Sequence, residues 1–226
     1  MTTTQQSKSD SQVEVITGTH PTHSIIWLHG LGADGHDFES IIPQLNLPEE
    51  TSIRFIFPHA PVQAITINGG MEMRAWYDLV SMDFSNREDK VGLQQSLERL
   101  EQLIAEENDR GIDSAHIFLA GFSQGGAVAL HTGLRHANKL AGILALSTYL
   151  PLPDTLEAQR HPNNLNTDIF MAHGTFDQVI PVDFAMQSAQ LLKDKGHSLD
   201  WQTFKMQHSV SMEEIVLISM FIKERL

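Results

Sequence analysis

The sequence contains no cysteine. Disulfides and a thiolate nucleophile are therefore excluded, although this absence leaves the compartment open. Positive charge is scarce as well: 15 Lys and Arg against 28 Asp and Glu give a formal net charge of −13. Those cations are scattered, without the clustered stripe that a phosphate backbone requires, so no nucleic-acid partner is expected. No apolar run approaches the roughly 20 residues needed to span a bilayer. The opening segment, "MTTTQQSKSDSQ", lacks the apolar stretch of a secretory signal. The expectation is a cytoplasmic protein with a disordered tail over 1–12.

What remains is enough for one domain over 13–226. The chain has 226 residues, 41% of them apolar, with charge interspersed, which suits an ordinary globular core. Strand-like and helix-like segments alternate. Strands are expected at 13–17, 24–29, 53–57, 115–120, 140–147, 168–173 and 199–206. Several are continuous apolar runs, as for strands covered on both faces of a parallel sheet. A helix is expected over 86–110, where Leu93, Leu97, Leu100 and Ile104 recur at the helical period and Gly111 supplies the stop. Further helices are expected over 123–136, near 183–195, and from 211, where Ser211 and Glu214 form a capping box. This alternation predicts an α/β fold with a mostly parallel central sheet and right-handed crossovers. Two longer irregular segments interrupt it: 58–85, rich in Met71, Met73, Trp76, Tyr77, Leu79, Met82 and Phe84, and 149–167, with Pro151, Pro153 and Pro162. Loops of that length are usually functional or mobile.

The run "AHIFLAGFSQGGAVAL" contains Gly121-Phe122-Ser123-Gln124-Gly125, a match to G-x-S-x-G. The pattern is weak alone, but it falls where a buried strand turns into a helix. At such a corner a serine hydroxyl is exposed, and glycines on either side remove Cβ atoms that would collide. The alternative is an N-cap serine flanked by packing glycines. A nucleophilic serine needs a base. Of the 12 histidines, His29, His59, His173 and His208 lie at strand ends. In an α/β-hydrolase the base follows the last strand, which favours His208, and the acid lies between nucleophile and base. Asp177 lies just beyond the penultimate strand, with Asp168 and Asp183 as competing carboxylates. His173 precedes Asp177, so chain order makes it a structural histidine near the site. His131 and His136, on the helix, have neither the spacing nor the company of metal ligands, and no metal is expected.

The segment "GLGADG" (30–35) also matches the dinucleotide fingerprint G-x-G-x-x-G. That use requires an acidic residue at the end of the next strand, where this chain has Pro58-His59-Ala60. A better use is an oxyanion hole, with backbone N–H groups from Leu31 and Gln124.

Taken together, "WLHGLGADGHDF", "FPHAP", "MRAWYDL", "GFSQGGAVAL", "FMAHGTFDQVIP" and "MQHSVSMEEI" resemble the short bacterial carboxylesterases related to acyl-protein thioesterases and lysophospholipases. The resemblance runs from about residue 23 to 218. It implies an α/β-hydrolase fold with helices on both faces and no separate cap domain. It also implies a triad of Ser123, Asp177 and His208, and oxyanion donors at Leu31 and Gln124. The 58–85 segment resembles a loop over an acyl groove, with Met73, Trp76 and Leu79 as lining residues. One departure is "FKM" before His208, where the family has an aromatic and then proline.

The expected activity is a serine carboxylesterase acting on short to medium acyl esters, with no cofactor and no metal. An acyl-protein thioesterase or lysophospholipase is the alternative within the enzymes. A non-catalytic binding protein is the alternative outside them. The expected partner is a small-molecule acyl ester or thioester, with transient contact to a lipid or an acylated protein left open. So is the choice between monomer and homodimer.

Overall fold

The computed structural model describes residues 4–8, 11–81 and 89–226. In chain order the elements are β1 (Thr4–Lys8), β2 (Gln12–Thr17), β3 (His23–Leu28), α1 (Ile42–Leu45), β4 (Ile53–Pro58), β5 (Val62–Ile65), β6 (Met71–Arg74) and α2 (Lys90–Asp109). They continue with β7 (Ile117–Phe122), α3 (Gln124–Gly133), β8 (Gly142–Leu146), α4 (Leu156–Gln159), β9 (Ile169–Gly174), α5 (Val182–Asp194), β10 (Leu199–Phe204) and α6 (Met212–Lys223).

Eight strands form one sheet in the order β1-β2-β4-β3-β7-β8-β9-β10. Every pairing from β4 across to β10 is parallel, and β1 and β2 add an antiparallel edge. Alternation along the central strands builds two apolar layers. Ile26, Leu28 and Leu119 pack with Leu93, Leu100 and Leu103 of α2 and with Ala127 and Val128 of α3. Farther along that face, Ile143 and Met171 pack with Ala189 and Leu192 of α5. Ile25, Trp27, Phe55, Phe57 and Phe118 point the other way, toward Leu45 of α1 and Ile215, Ile218 and Ile222 of α6. Each Leu, Ile, Phe or Met among them contributes about 1.5–3 kcal/mol on burial. Helices thus cover both faces, and among the described residues there is no separate cap: this is the expected α/β-hydrolase architecture.

Three features differ from the expectation. Within the stretch expected as a disordered tail, 1–12, Thr4–Lys8 pairs with β2. An edge strand held by backbone ladder bonds needs no apolar pattern to announce it. The long helix begins at Lys90, after Asp89, whose side chain accepts the Val91 N–H as an N-cap; positions 86–88 lie outside the described residues. Within 58–85, β5 and β6 form a separate hairpin; its four-residue strands are mostly exposed or half-buried, too short and too solvated to show as apolar runs. Met82 and Phe84 of that segment lie outside the described residues. At the other end of the chain, the capping box has its first half in Glu214 N–H donating to Ser211 Oγ at 3.2 Å.

Candidate active site

Ser123 stands alone between the end of β7 and the start of α3, with φ 55° and ψ −121°. A positive φ is unusual for serine and must be held by its surroundings. Its N–H donates to the Leu146 carbonyl at 2.8 Å, and its carbonyl accepts from Thr148 Oγ1 at 2.7 Å and Ala127 N–H at 3.1 Å. The glycines are required by contact. A Cβ on Gly121 would overlap the Gly125 carbonyl, and one on Gly125 would meet the carbonyls of Leu28 and His29 at 2.5 Å. The Ser123 side chain makes no capping bond to α3. Its hydroxyl lies 2.9 Å from His208 Nε2 instead.

His208 Nδ1 lies 2.6 Å from Asp177 Oδ2. Asp177 Oδ1 accepts the N–H groups of Val179 at 2.8 Å and Ile180 at 2.9 Å. Burial works against charge on Asp177, but the hydrogen bonds from His173, His208 and Ile180 outweigh it and hold the carboxyl well below its usual range. The loops carrying Asp177 and His208 meet closely at Gly174, where a Cβ would collide with the carbonyls of Met206 and Gln207. Backbone bonds from Thr175 N–H to Phe204 O (2.8 Å) and from Phe176 N–H to Met206 O (3.0 Å) fasten them. The unusual "FKM" segment is therefore part of this fastening, and the His208–Asp177 contact persists beside it. The competing carboxylates lie elsewhere: Asp168 pairs with Arg225 at 2.8 Å, and Asp183 lies in the first turn of α5.

Gln124 opens α3, and the first N–H groups of a helix have no partner within it. Leu31 follows β3, and its N–H has no hydrogen-bond partner among the described residues. Both residues line a cleft of about 240 Å³ with Ser123 and His208. Leu79 lines the same cleft. Trp76 and Met73 do not, which corrects the expected lining set. Trp76 is buried and borders a separate hollow of about 690 Å³ with His59, Arg74 and Ser96. Met73 packs against the core, with Asn68 Nδ2 3.6 Å from its sulfur. His29 and His59 both serve backbone groups: His29 accepts the Ala60 N–H at 3.0 Å and His59 the Gly35 N–H at 3.0 Å.

Several contributors were not foreseen. Tyr149, Val179 and Ile180 line the cleft, and the hydroxyls of Tyr149 and Tyr77 lie 3.3 Å apart. The Phe122 ring packs on the His208 ring with centroids 4.7 Å apart. The Gln124 side chain is 4% exposed and bonds backbone on both its polar atoms: Oε1 accepts from Trp76 N–H at 2.8 Å and Nε2 donates to Tyr77 O at 2.7 Å. Nothing periodic marks a side-chain bond across 47 or 48 residues. A serine–imidazole–carboxylate chain beside free N–H donors can activate a hydroxyl for attack on a carbonyl.

A family model described as phospholipase/carboxylesterase matches residues 11–226. The acyl-protein thioesterase 1 of Yarrowia lipolytica is 38% identical over 210 residues, covering 91% of this chain and 92% of that protein. Its counterpart from Neurospora crassa is 40% identical over 214 residues, covering 91% and 87%. The crystal structure of Arabidopsis thaliana SOBER1 matches with a TM-score of 0.85 at 29% identity, covering 90% of this chain and 98% of that one. These relatives are eukaryotic, so the bacterial origin in the expected resemblance is not supported, whereas the family is.

Proposed function

The chain belongs to the phospholipase/carboxylesterase family and is a serine hydrolase, and from that premise we propose that it cleaves acyl thioesters through an acyl-enzyme on Ser123. In this reading His208 Nε2 takes the Ser123 proton as Oγ attacks the acyl carbonyl. Asp177, held ionised by its hydrogen bonds, fixes His208 with Nδ1–H toward it and stabilises the imidazolium. The N–H groups of Leu31 and Gln124 receive the oxyanion. His208 returns the proton to the departing thiol, and water, deprotonated by the same imidazole, then releases the acid and restores Ser123. No step uses a metal or an organic cofactor.

The observation that carries this reading is the continuous path from Ser123 Oγ to His208 Nε2 (2.9 Å) and from His208 Nδ1 to Asp177 Oδ2 (2.6 Å). The thioester preference is supported by the fungal relatives, which bear the name acyl-protein thioesterase 1 at 34–40% identity. The apolar walls from Leu79, Val179 and Ile180 suit an acyl chain. We assign the protein to the cytoplasm, where it meets acylated proteins or lipids transiently; no described helix is long and apolar enough to cross a membrane.

A carboxylesterase acting on short to medium acyl esters is the second reading, supported by the family's own description. Matched S-acyl and O-acyl substrates of one chain length, assayed with wild type and Ser123→Ala, separate the two. A higher kcat/KM on the thioester supports the first reading, and a higher value on the oxygen ester supports the second. Turnover of neither would end both.

A further inference from the structure

The two oxyanion donors of the proposed mechanism lie on separate segments, Leu31 after β3 and Gln124 at the start of α3. One residue is bonded to both. The Trp76 N–H donates to Gln124 Oε1 at 2.8 Å, while its indole Nε1–H donates to the His29 carbonyl at 2.9 Å, two residues before Leu31. Gln124 Nε2 closes the first bond into a fork by donating to Tyr77 O at 2.7 Å. The Ser96 hydroxyl, reaching from α2, donates to the Trp76 carbonyl, so every polar group of Trp76 is engaged.

The His29 end is equally fixed. Its Nδ1 lies 2.7 Å from the Gly30 carbonyl, and its Nε2 accepts the Ala60 N–H at 3.0 Å. Only the neutral tautomer with hydrogen on Nδ1 satisfies both, and burial keeps the ring neutral, with its pKa lowered to about 4. A second tie reaches the same loop, from Gly32 N–H to the Arg74 carbonyl at 2.8 Å.

We propose that Trp76, clamped by the Gln124 side chain, is a positioning residue that sets the separation of the two oxyanion donors. Gln124 then acts twice, through its N–H on the reacting oxygen and through its amide on Trp76. Trp76 is 2% exposed and lies outside the cleft wall, so its effect is on alignment and not on substrate binding. Misplacing a reacting group by about 1 Å can cost on the order of 10²-fold in rate. This inference rests on the acyl-transfer reading above.

Two variants test it: Trp76→Phe deletes the indole N–H and keeps an aromatic ring, and Gln124→Met deletes the amide and keeps the length and backbone N–H. Steady-state kinetics on an acyl thioester are read beside hydrogen exchange at the Trp76 amide. The expected result is a kcat lowered about 10–100-fold in each, with KM within about twofold. The double variant should be little worse than the weaker single, since both changes break one bridge. Gln124→Met should also expose the Trp76 amide to faster exchange. Wild-type kcat in folded Trp76→Phe would overturn the proposal, as would a loss confined to KM, which would make Trp76 a binding wall. If Trp76→Phe does not fold, Gln124→Met decides alone: unchanged exchange protection at Trp76 would overturn the clamp. Failure of the wild type to turn over any acyl substrate would instead sink the hydrolase chemistry, while the exchange measurement would still report on the bridge.

Discussion

His173 Nε2 lies 3.2 Å from Asp177 Oδ2, the same oxygen that His208 Nδ1 reaches at 2.6 Å. The Ile180 carbonyl lies 2.8 Å from that His173 nitrogen too. A carbonyl and a carboxylate only accept, so Nε2 carries the hydrogen. One carboxylate oxygen therefore receives two imidazoles, and the second helps to hold Asp177 charged. A carboxyl held low contributes stability that is present above its unfolded pKa, near 3.9, and is lost as pH falls through the folded value. His173→Leu should accordingly unfold at a higher pH during acid titration, read by circular dichroism, and lower kcat by roughly tenfold. Asp177→Asn should lower kcat by about 10³–10⁴, because the imidazole then loses its useful tautomer. An acid midpoint in His173→Leu equal to wild type would contradict this pairing.

Glu214 gives a pH effect of opposite sign. It is fully buried in the first turn of α6. Burial pushes its carboxyl up to about 8, against a smaller opposing pull from the Ser211 backbone. An acid whose folded pKa is raised stays neutral in the fold while the unfolded chain ionises, so stability declines between about pH 4.5 and 8. Glu214→Gln removes that titration. Its Tm should exceed the wild-type value at pH 8, and the difference should shrink toward pH 5. A constant Tm difference across that range would refute the assignment.

Gly174→Ala tests how closely the two loops must meet. Its methyl would displace the carbonyls of Met206 and Gln207, and overpacking of this kind costs about 1–3 kcal/mol. Because the displaced backbone leads directly to His208, kcat should fall at least tenfold, well beyond what the stability loss explains at assay temperature. Thermal unfolding and kinetics on one preparation check both parts.

Strain at Ser123 predicts a difference between two inactive variants. Glycine tolerates φ 55° without the penalty that a Cβ carries, whereas alanine retains it. Ser123→Gly should therefore unfold at a higher temperature than Ser123→Ala, by a difference on the order of 1 kcal/mol. Calorimetry of the pair reads it directly.

The sheet was legible in its apolar runs, and the chain order Ser123, Asp177, His208 was legible in where each stands relative to a strand end, although the serine motif by itself is weak. Strands buried on both faces, such as Ile117–Phe122 and Ile169–Gly174, show as apolar runs, and the three groups follow strand ends. What was hidden depends on contacts with no periodic trace. The Gln124 amide bonds reach 47 and 48 residues away, and the antiparallel edge at Thr4–Lys8 is held by backbone pairing. Trp76 was expected in the cleft because the 58–85 segment resembles a loop over an acyl groove. Its indole N–H instead satisfies a buried carbonyl, a partner that only the packed fold supplies.

The central claim is that Ser123 is the nucleophile of an acyl-transfer site. Intact-mass and peptide mass spectrometry after treatment with a fluorophosphonate reads this most directly. The account predicts one stoichiometric adduct on the peptide containing Ser123, and none on Ser123→Ala of unchanged fold. No adduct on the folded wild-type protein, or an adduct that persists in Ser123→Ala, would contradict it.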